Sequence, residues 1–149
     1  MKKKFKKALI IFGANSYIAK NILISQKIKK FDTFLISRKQ KKIKNYFNYS
    51  DLNKLTKKLN DNYKFKYVLN LANNPNVNEY FENELLIIKK TFFYQNKIIK
   101  FCKNLGNSYT HVYLSSDRIF GKRKIKSYLF SKASPVDPYA KLKVLNEKL

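Results

Sequence analysis

A single cysteine, Cys102, stands among the 149 residues, so no disulfide can form within the chain, and a reducing cytoplasm is the fitting compartment. The one histidine, His111, has no Cys or His companion at metal-ligand spacing, so no metal site is expected. Cys102 falls on an apolar helical stripe and His111 opens an apolar run, so both read as structural. No apolar run approaches the roughly 20 residues that span a bilayer. Acidic residues are also scarce, 9 against 33 Lys plus Arg, for a net charge of +24. Yet arginine is nearly missing too: Arg38, Arg118 and Arg123 are the only three, and the other 30 basic residues are lysine. Base readout and bidentate phosphate contacts favour arginine. The lysines run through the whole chain beside Asn, Ile, Phe and Tyr, all with A/T-rich codons. Genome composition therefore accounts for the charge better than a specific nucleic-acid partner does. The surplus still attracts anions such as phosphorylated substrates, in a salt-dependent way.

A hydrophobic content of 44% and an aromatic content of 15% rule out a disordered composition, and the length suits one domain with a real core. No linker or internal repeat divides the chain. The basic start, Met1 to Lys7, followed by an apolar run, has the look of a signal peptide. That run breaks at Gly13-Ala14-Asn15-Ser16 with no clear small-x-small cleavage pattern, and a buried first strand explains the same residues.

Ala8 to Phe12 reads as a central parallel strand buried on both faces. Tyr17 to about Ile28 has helical spacing, and Phe31 to Ser37 is a second strand. Arg38 to Tyr49 is basic and irregular, a loop or frayed helix. Ser50-Asp51 opens a helix whose apolar face is Leu52, Leu55 and Leu59. Tyr67 to Leu71 is a third strand, broken by Ala72-Asn73-Asn74-Pro75. Glu79 to Asn104 is a long helix with Leu85, Ile88, Phe92, Gln95, Ile99 and Cys102 as its stripe, stopped near Gly106. His111 to Leu114 is a fourth strand, Lys122 to Ser134 a basic loop, and Pro138 to Leu149 a last helix with Pro in its first turn. This alternation predicts an α/β fold, a doubly wound parallel sheet with helices on both faces and the first strand near the middle. Ligands of such sheets bind beyond the carboxyl ends of the strands. Gly13 to Ala19, Ser37-Arg38, Leu71-Ala72 and Ser115-Ser116 all fall at such ends.

Three segments carry chemistry: Ala8 to Ala19 with its Gly13 turn, Val112 to Gly121 with Ser115-Ser116 before Phe120-Gly121, and Tyr139-x-x-x-Lys143. With Asp51-Leu52 and Leu71-Ala72 between them, in this order and at these intervals, the chain resembles the extended short-chain dehydrogenase/reductase family. That family includes NAD(P)-dependent sugar-nucleotide epimerases, dehydratases and dTDP-4-dehydrorhamnose reductases, and the resemblance runs from Ala8 to Leu149. It implies a Rossmann-like domain, a nicotinamide cofactor, a nucleotide-sugar substrate and a cytoplasmic role in polysaccharide biosynthesis.

The resemblance also implies roles for residues. Gly13 matches the first glycine of the family's three-glycine fingerprint. Ser16 stands where the second lets backbone approach the pyrophosphate, and Ala19 at the helix-packing position. The stretch Asn15, Ser16, Tyr17, Ile18 then opens the helix whose free N–H groups meet phosphate. Arg38, with no acidic residue near it, suits a 2′-phosphate and tilts the cofactor from NAD toward NADP; a solvated basic loop is the other reading. Asp51, beside Leu52, would contact the adenine or else cap its helix. Leu71 and Ala72 would line the cofactor. The implied catalytic set is Ser116, Tyr139 and Lys143. Hydride transfer at a sugar carbon needs proton transfer at its oxygen. A phenol of ordinary pKa near 10 needs a cation one helical turn away, Lys143, to act near neutrality. Lys143 would also hold the nicotinamide ribose, and Ser116 would orient the substrate oxygen. Asp117 would cap locally or pair with Arg118 or Arg123.

Family members are considerably longer. The expectation is therefore an incomplete domain, residues 1–149, that lacks the carboxy-terminal region binding the sugar nucleotide. A gene fragment, a complementing second chain and a dinucleotide-binding protein without catalysis all fit. An uncovered sheet edge would favour a homo-oligomer or aggregation.

Overall fold

The computed structural model describes residues 6–39, 41–74, 76, 78–106, 108–122 and 131–149. Arg123 and most of the basic loop lie outside them. The chain divides into two compact units, Met1–Asn73 with Asn96–Tyr113, and Asn74–Gln95 with Leu114–Leu149.

The first unit holds a five-stranded, all-parallel sheet in the order β3-β2-β1-β4-β5. Its strands are β1 (Lys7–Phe12), β2 (Asp32–Ile36), β3 (Tyr46–Phe47), β4 (Phe65–Asn70) and β5 (Tyr109–Tyr113). β1 is central, as the crossover rule requires. Ala8, Ile10, Ile11 and Phe12 are wholly buried, which explains why the run is apolar without alternation. The ring of Phe12 packs edge-on against Phe101 and tilted against Tyr49. Helix α1 (Tyr17–Ile24) seats Ala19 on Ile11 and Leu71, and α2 (Leu52–Asn62) buries Leu52, Leu55 and Leu59 as the spacing predicts.

Three local expectations are corrected. The helix after Gly13 ends at Ile24 rather than Ile28, because Ser25 turns extended and caps a separate 3-10 helix, Gln26–Lys30. The Arg38–Tyr49 stretch contains strand β3, entered through Asn45 in the left-handed region at φ 60°, which asparagine tolerates. The third correction falls in the long helix. It is interrupted at Asn83, giving α3 (Glu79–Glu82) and α4 (Glu84–Asn104). The buried stripe of α4 is Ile87, Thr91, Gln95, Ile98 and Cys102, while Leu85 is exposed. Gln95 and Cys102 lie on it as the spacing predicts, while Ile87, polar Thr91 and Ile98 take the places expected for Ile88, Phe92 and Ile99.

The second unit joins α3 and the first turns of α4 to α5 (Pro138–Glu147) and a short 3-10 helix, Asp117–Phe120. Its core is Tyr80, Ile87 and Leu142, with Ile88, Phe92 and Tyr139 packed on it.

Candidate functional site

The carboxyl edge of the sheet is in register. Phe12 is paired with Ile36 and Asn70, so Gly13, Ser37 and Leu71 each follow directly on a strand end. Gly13 adopts φ +79°, and a Cβ there would lie 2.7 Å from the Leu71 carbonyl oxygen. Only glycine turns the chain that close to the neighbouring strand. Its amide donates to the Ile36 carbonyl, as does that of Ala14. Ser16 is the N-cap of α1, and its Oγ accepts from the Ala19 amide at 3.1 Å. The hydroxyl that replaces a fingerprint glycine is therefore turned into the helix start. Among the described residues this leaves the amides of Tyr17 and Ile18 without a partner in the chain, on two exposed residues at the positive end of α1. These donors suit a diphosphate, so the turn fits a dinucleotide.

Arg38 is exposed beside buried Ser37. Asp51 does not cap α2 with its side chain; its Oδ2 accepts from the Asn48 amide at 2.9 Å, closing the turn before the helix. Leu52 is buried in the core, and the Ala72 amide donates a hydrogen bond to Asn70 Oδ1 at 3.1 Å.

In the second unit, α5 begins at Asp137, whose Oδ1 accepts from the Ala140 amide at 2.8 Å, with Pro138 next in line. Tyr139 and Lys143 follow one turn apart on this helix. Lys143 is only 4% exposed, its Nζ donates to the Leu114 carbonyl at 2.6 Å, and that ammonium lies 5.8 Å from the centre of the Tyr139 ring. Burial brings the Lys143 pKa down to about 8, against a smaller upward pull from Glu147. The Arg118 guanidinium also faces the Tyr139 ring, at 6.0 Å, and its Nε pairs with Asp137 Oδ2 at 3.4 Å. Arg118 thus pairs with Asp137 rather than with Asp117. Tyr80, wholly buried, packs edge-on against Tyr139 at 5.3 Å. Ser116 caps the 3-10 helix, accepting from the Arg118 amide and donating to Asp117 Oδ1, both at 3.3 Å. The sequence offers Arg118 only to Asp117 and does not single out Tyr80, because each acts through a partner distant along the chain.

Residues 9–149 match the NAD dependent epimerase/dehydratase family. The chain belongs to this family. No curated protein sequence matches it. Among solved structures, the family member is similar to a UDP-glucose-4-epimerase from Stenotrophomonas maltophila with bound NAD and formylated UDP-arabinopyranose (TM-score 0.76, 12% identity, 97% of this chain and 47% of that one). It is also similar to RMD from Pseudomonas aeruginosa complexed with NADPH (0.70, 17%, 95% and 47%). A third is a hypothetical dTDP-4-dehydrorhamnose reductase from Sulfolobus tokodaii (0.70, 18%, 95% and 50%). At these identities the likeness shows the Rossmann-like fold, and this epimerase/dehydratase-family chain spans about half the length of those structures. Among the described residues, no helix is long and apolar enough to cross a membrane.

Proposed function

We propose that this chain is the dinucleotide-binding and proton-transferring portion of an NAD(P)-dependent sugar-nucleotide reductase, epimerase or dehydratase. The observation that carries the reading is Lys143. Lysine is almost never fully buried unless its ammonium is paired, and this one lies a turn beyond Tyr139, tied to Leu114 two residues before Ser116.

The bound nicotinamide would supply or take up hydride at a sugar carbon. Tyr139 gives or takes the proton at the attached oxygen, so ketone and alcohol interconvert. The Lys143 ammonium stabilises negative charge developing on the phenol oxygen, and Ser116 holds the substrate oxygen by a hydrogen bond. The Tyr17 and Ile18 amides would hold the diphosphate, with Gly13 permitting its approach. Leu71 and Ala72 line the cofactor and Asp51 meets the adenine. Arg38 favours NADP over NAD.

Nicotinamide absorbance, followed with the intact chain, NADPH and a panel of UDP- and dTDP-sugars, tests this. Turnover should fall about 100-fold or more in Tyr139→Phe; an unchanged rate would remove Tyr139 from the chemistry. A second reading, favoured by the Gly13 turn and the open Tyr17 and Ile18 amides, is a dinucleotide-binding protein without catalysis of its own. Firm NADPH binding without turnover of any sugar nucleotide selects it.

A further inference from the structure

We propose that Tyr46 and Asn48 are positioning residues for an anion platform, Ser37–Lys39, that receives the 2′-phosphate of NADP. The inference rests on the dinucleotide reading above. The platform follows β2, and its backbone is anchored at three consecutive residues. The Ser37 amide donates to the Phe47 carbonyl at 3.2 Å. The Arg38 carbonyl accepts from Asn48 Nδ2 at 3.1 Å, and the Lys39 carbonyl accepts from Ser37 Oγ at 2.6 Å. Ser37 has then used its one hydroxyl hydrogen, and its oxygen takes bonds from Tyr46 OH at 2.9 Å and Asn15 Nδ2 at 3.1 Å. A ligand therefore finds no donor left on Ser37; that residue is scaffold. The side chains of Arg38 and Lys39 are exposed, so the two cations stand on a pinned backbone and face solvent.

Tyr46 organises both sides of this arrangement. Its single hydroxyl hydrogen is shared between Ser37 Oγ and Asn15 Oδ1, both 2.9 Å away, which couples the platform to the turn between β1 and α1. The ammonium of Lys41 sits 5.9 Å from the centre of its ring, a third cation at the same end of the sheet. No Asp or Glu occurs from Thr33 to Ser50, and the carboxylate that follows, Asp51, already accepts from the Asn48 amide at 2.9 Å. Cations held on rigid backbone suit a phosphate monoester, because little side-chain and loop freedom is lost on binding.

The test is fluorescence titration of the intact chain with NADPH and NADH at fixed salt, with 2′,5′-ADP and 5′-AMP as competitors. Wild type should prefer NADPH, and 2′,5′-ADP should compete better than 5′-AMP. Asn48→Ala should cut the NADPH/NADH preference about fivefold, the size of one neutral hydrogen bond, while leaving NADH affinity within about twofold, and Tyr46→Phe, which also releases Asn15, should lower the preference at least as far. A merely structural role would instead weaken both dinucleotides alike, and that result overturns the proposal. So does an unchanged preference in both variants. Equal wild-type affinity for the two dinucleotides overturns the platform but leaves dinucleotide binding standing; absence of binding to either sinks both. If Tyr46→Phe does not fold, Asn48→Ala, whose lost bond is exposed, decides.

Discussion

Lys143 reaches back along its own unit to place its ammonium 2.6 Å from the carbonyl oxygen of Leu114 and 5.8 Å from the centre of the Tyr139 ring. A cation in that position is held against its hydration preference, and this makes it pH-sensitive. Its pKa falls from the ordinary 10.5 to about 8 on folding, chiefly through burial. The unfolded chain therefore binds the proton more tightly between those two values. Stability should rise with pH across that window in wild type and lose the increment as pH falls toward 8. Lys143→Met should lack this increment. Urea denaturation of both proteins at several pH values across the window checks it; parallel curves would refute it. On the proposed mechanism, turnover should also decline above pH about 8, as the ammonium loses its charge.

The adjacent serines should behave oppositely. Among the described residues, Ser115 Oγ is buried with no hydrogen-bond partner, whereas Ser116 Oγ has two. Ser115→Ala removes an unsatisfied hydroxyl and should be neutral or stabilising by up to about 1 kcal/mol, with turnover unchanged. Ser116→Ala should lower turnover about 100-fold and, with its cap bond lost, cost about 0.5–1 kcal/mol of stability. Chemical denaturation and steady-state rates on the two variants separate the roles.

At the start of α5, the cap should matter more than the ion pair. Asp137→Ala loses the bond from the Ala140 amide and should cost about 1 kcal/mol, whereas Asp137→Asn keeps a good capping side chain and should cost much less. The Arg118 side chain is 47% exposed, so its pairing with Asp137 adds little by itself. A larger loss in Asp137→Asn than in Asp137→Ala would contradict this order.

Gly13→Ala forces a methyl group against the Leu71 carbonyl at a φ that alanine resists, and should destabilise the sheet unit by about 2 kcal/mol. A melting temperature equal to wild type would show that the turn relaxes freely.

Cys102 is 3% exposed, and burial pushes its thiol up to about 12. It should react with a thiol-specific disulfide reagent about 100-fold more slowly in the native chain than in denaturant. Equal rates would mean that the stripe of α4 opens readily.

Much of this molecule was legible in its residues, for reasons of local physics. The apolar run at Ala8–Phe12 ending in Gly13, the Leu52-Leu55-Leu59 face and Pro138 at a helix start each write their structure in a few adjacent positions. Their alternation settles a parallel sheet with β1 at its centre, and the order of Gly13, Ser116, Tyr139 and Lys143 pointed to the family. Other features depend on partners far away in sequence. β3 is two residues long and exists because Asn45 turns left-handed and β2 offers an edge. The inner face of α4 is chosen by what packs on it, so buried Thr91 outranks exposed Leu85. Arg118 finds Asp137, and Tyr46 finds Asn15 and Ser37, across intervals that no periodicity encodes. Short-range patterns reflect the geometry of one helix or strand; the pairing of polar groups and the depression of the Lys143 pKa arise only when separate elements exclude water together.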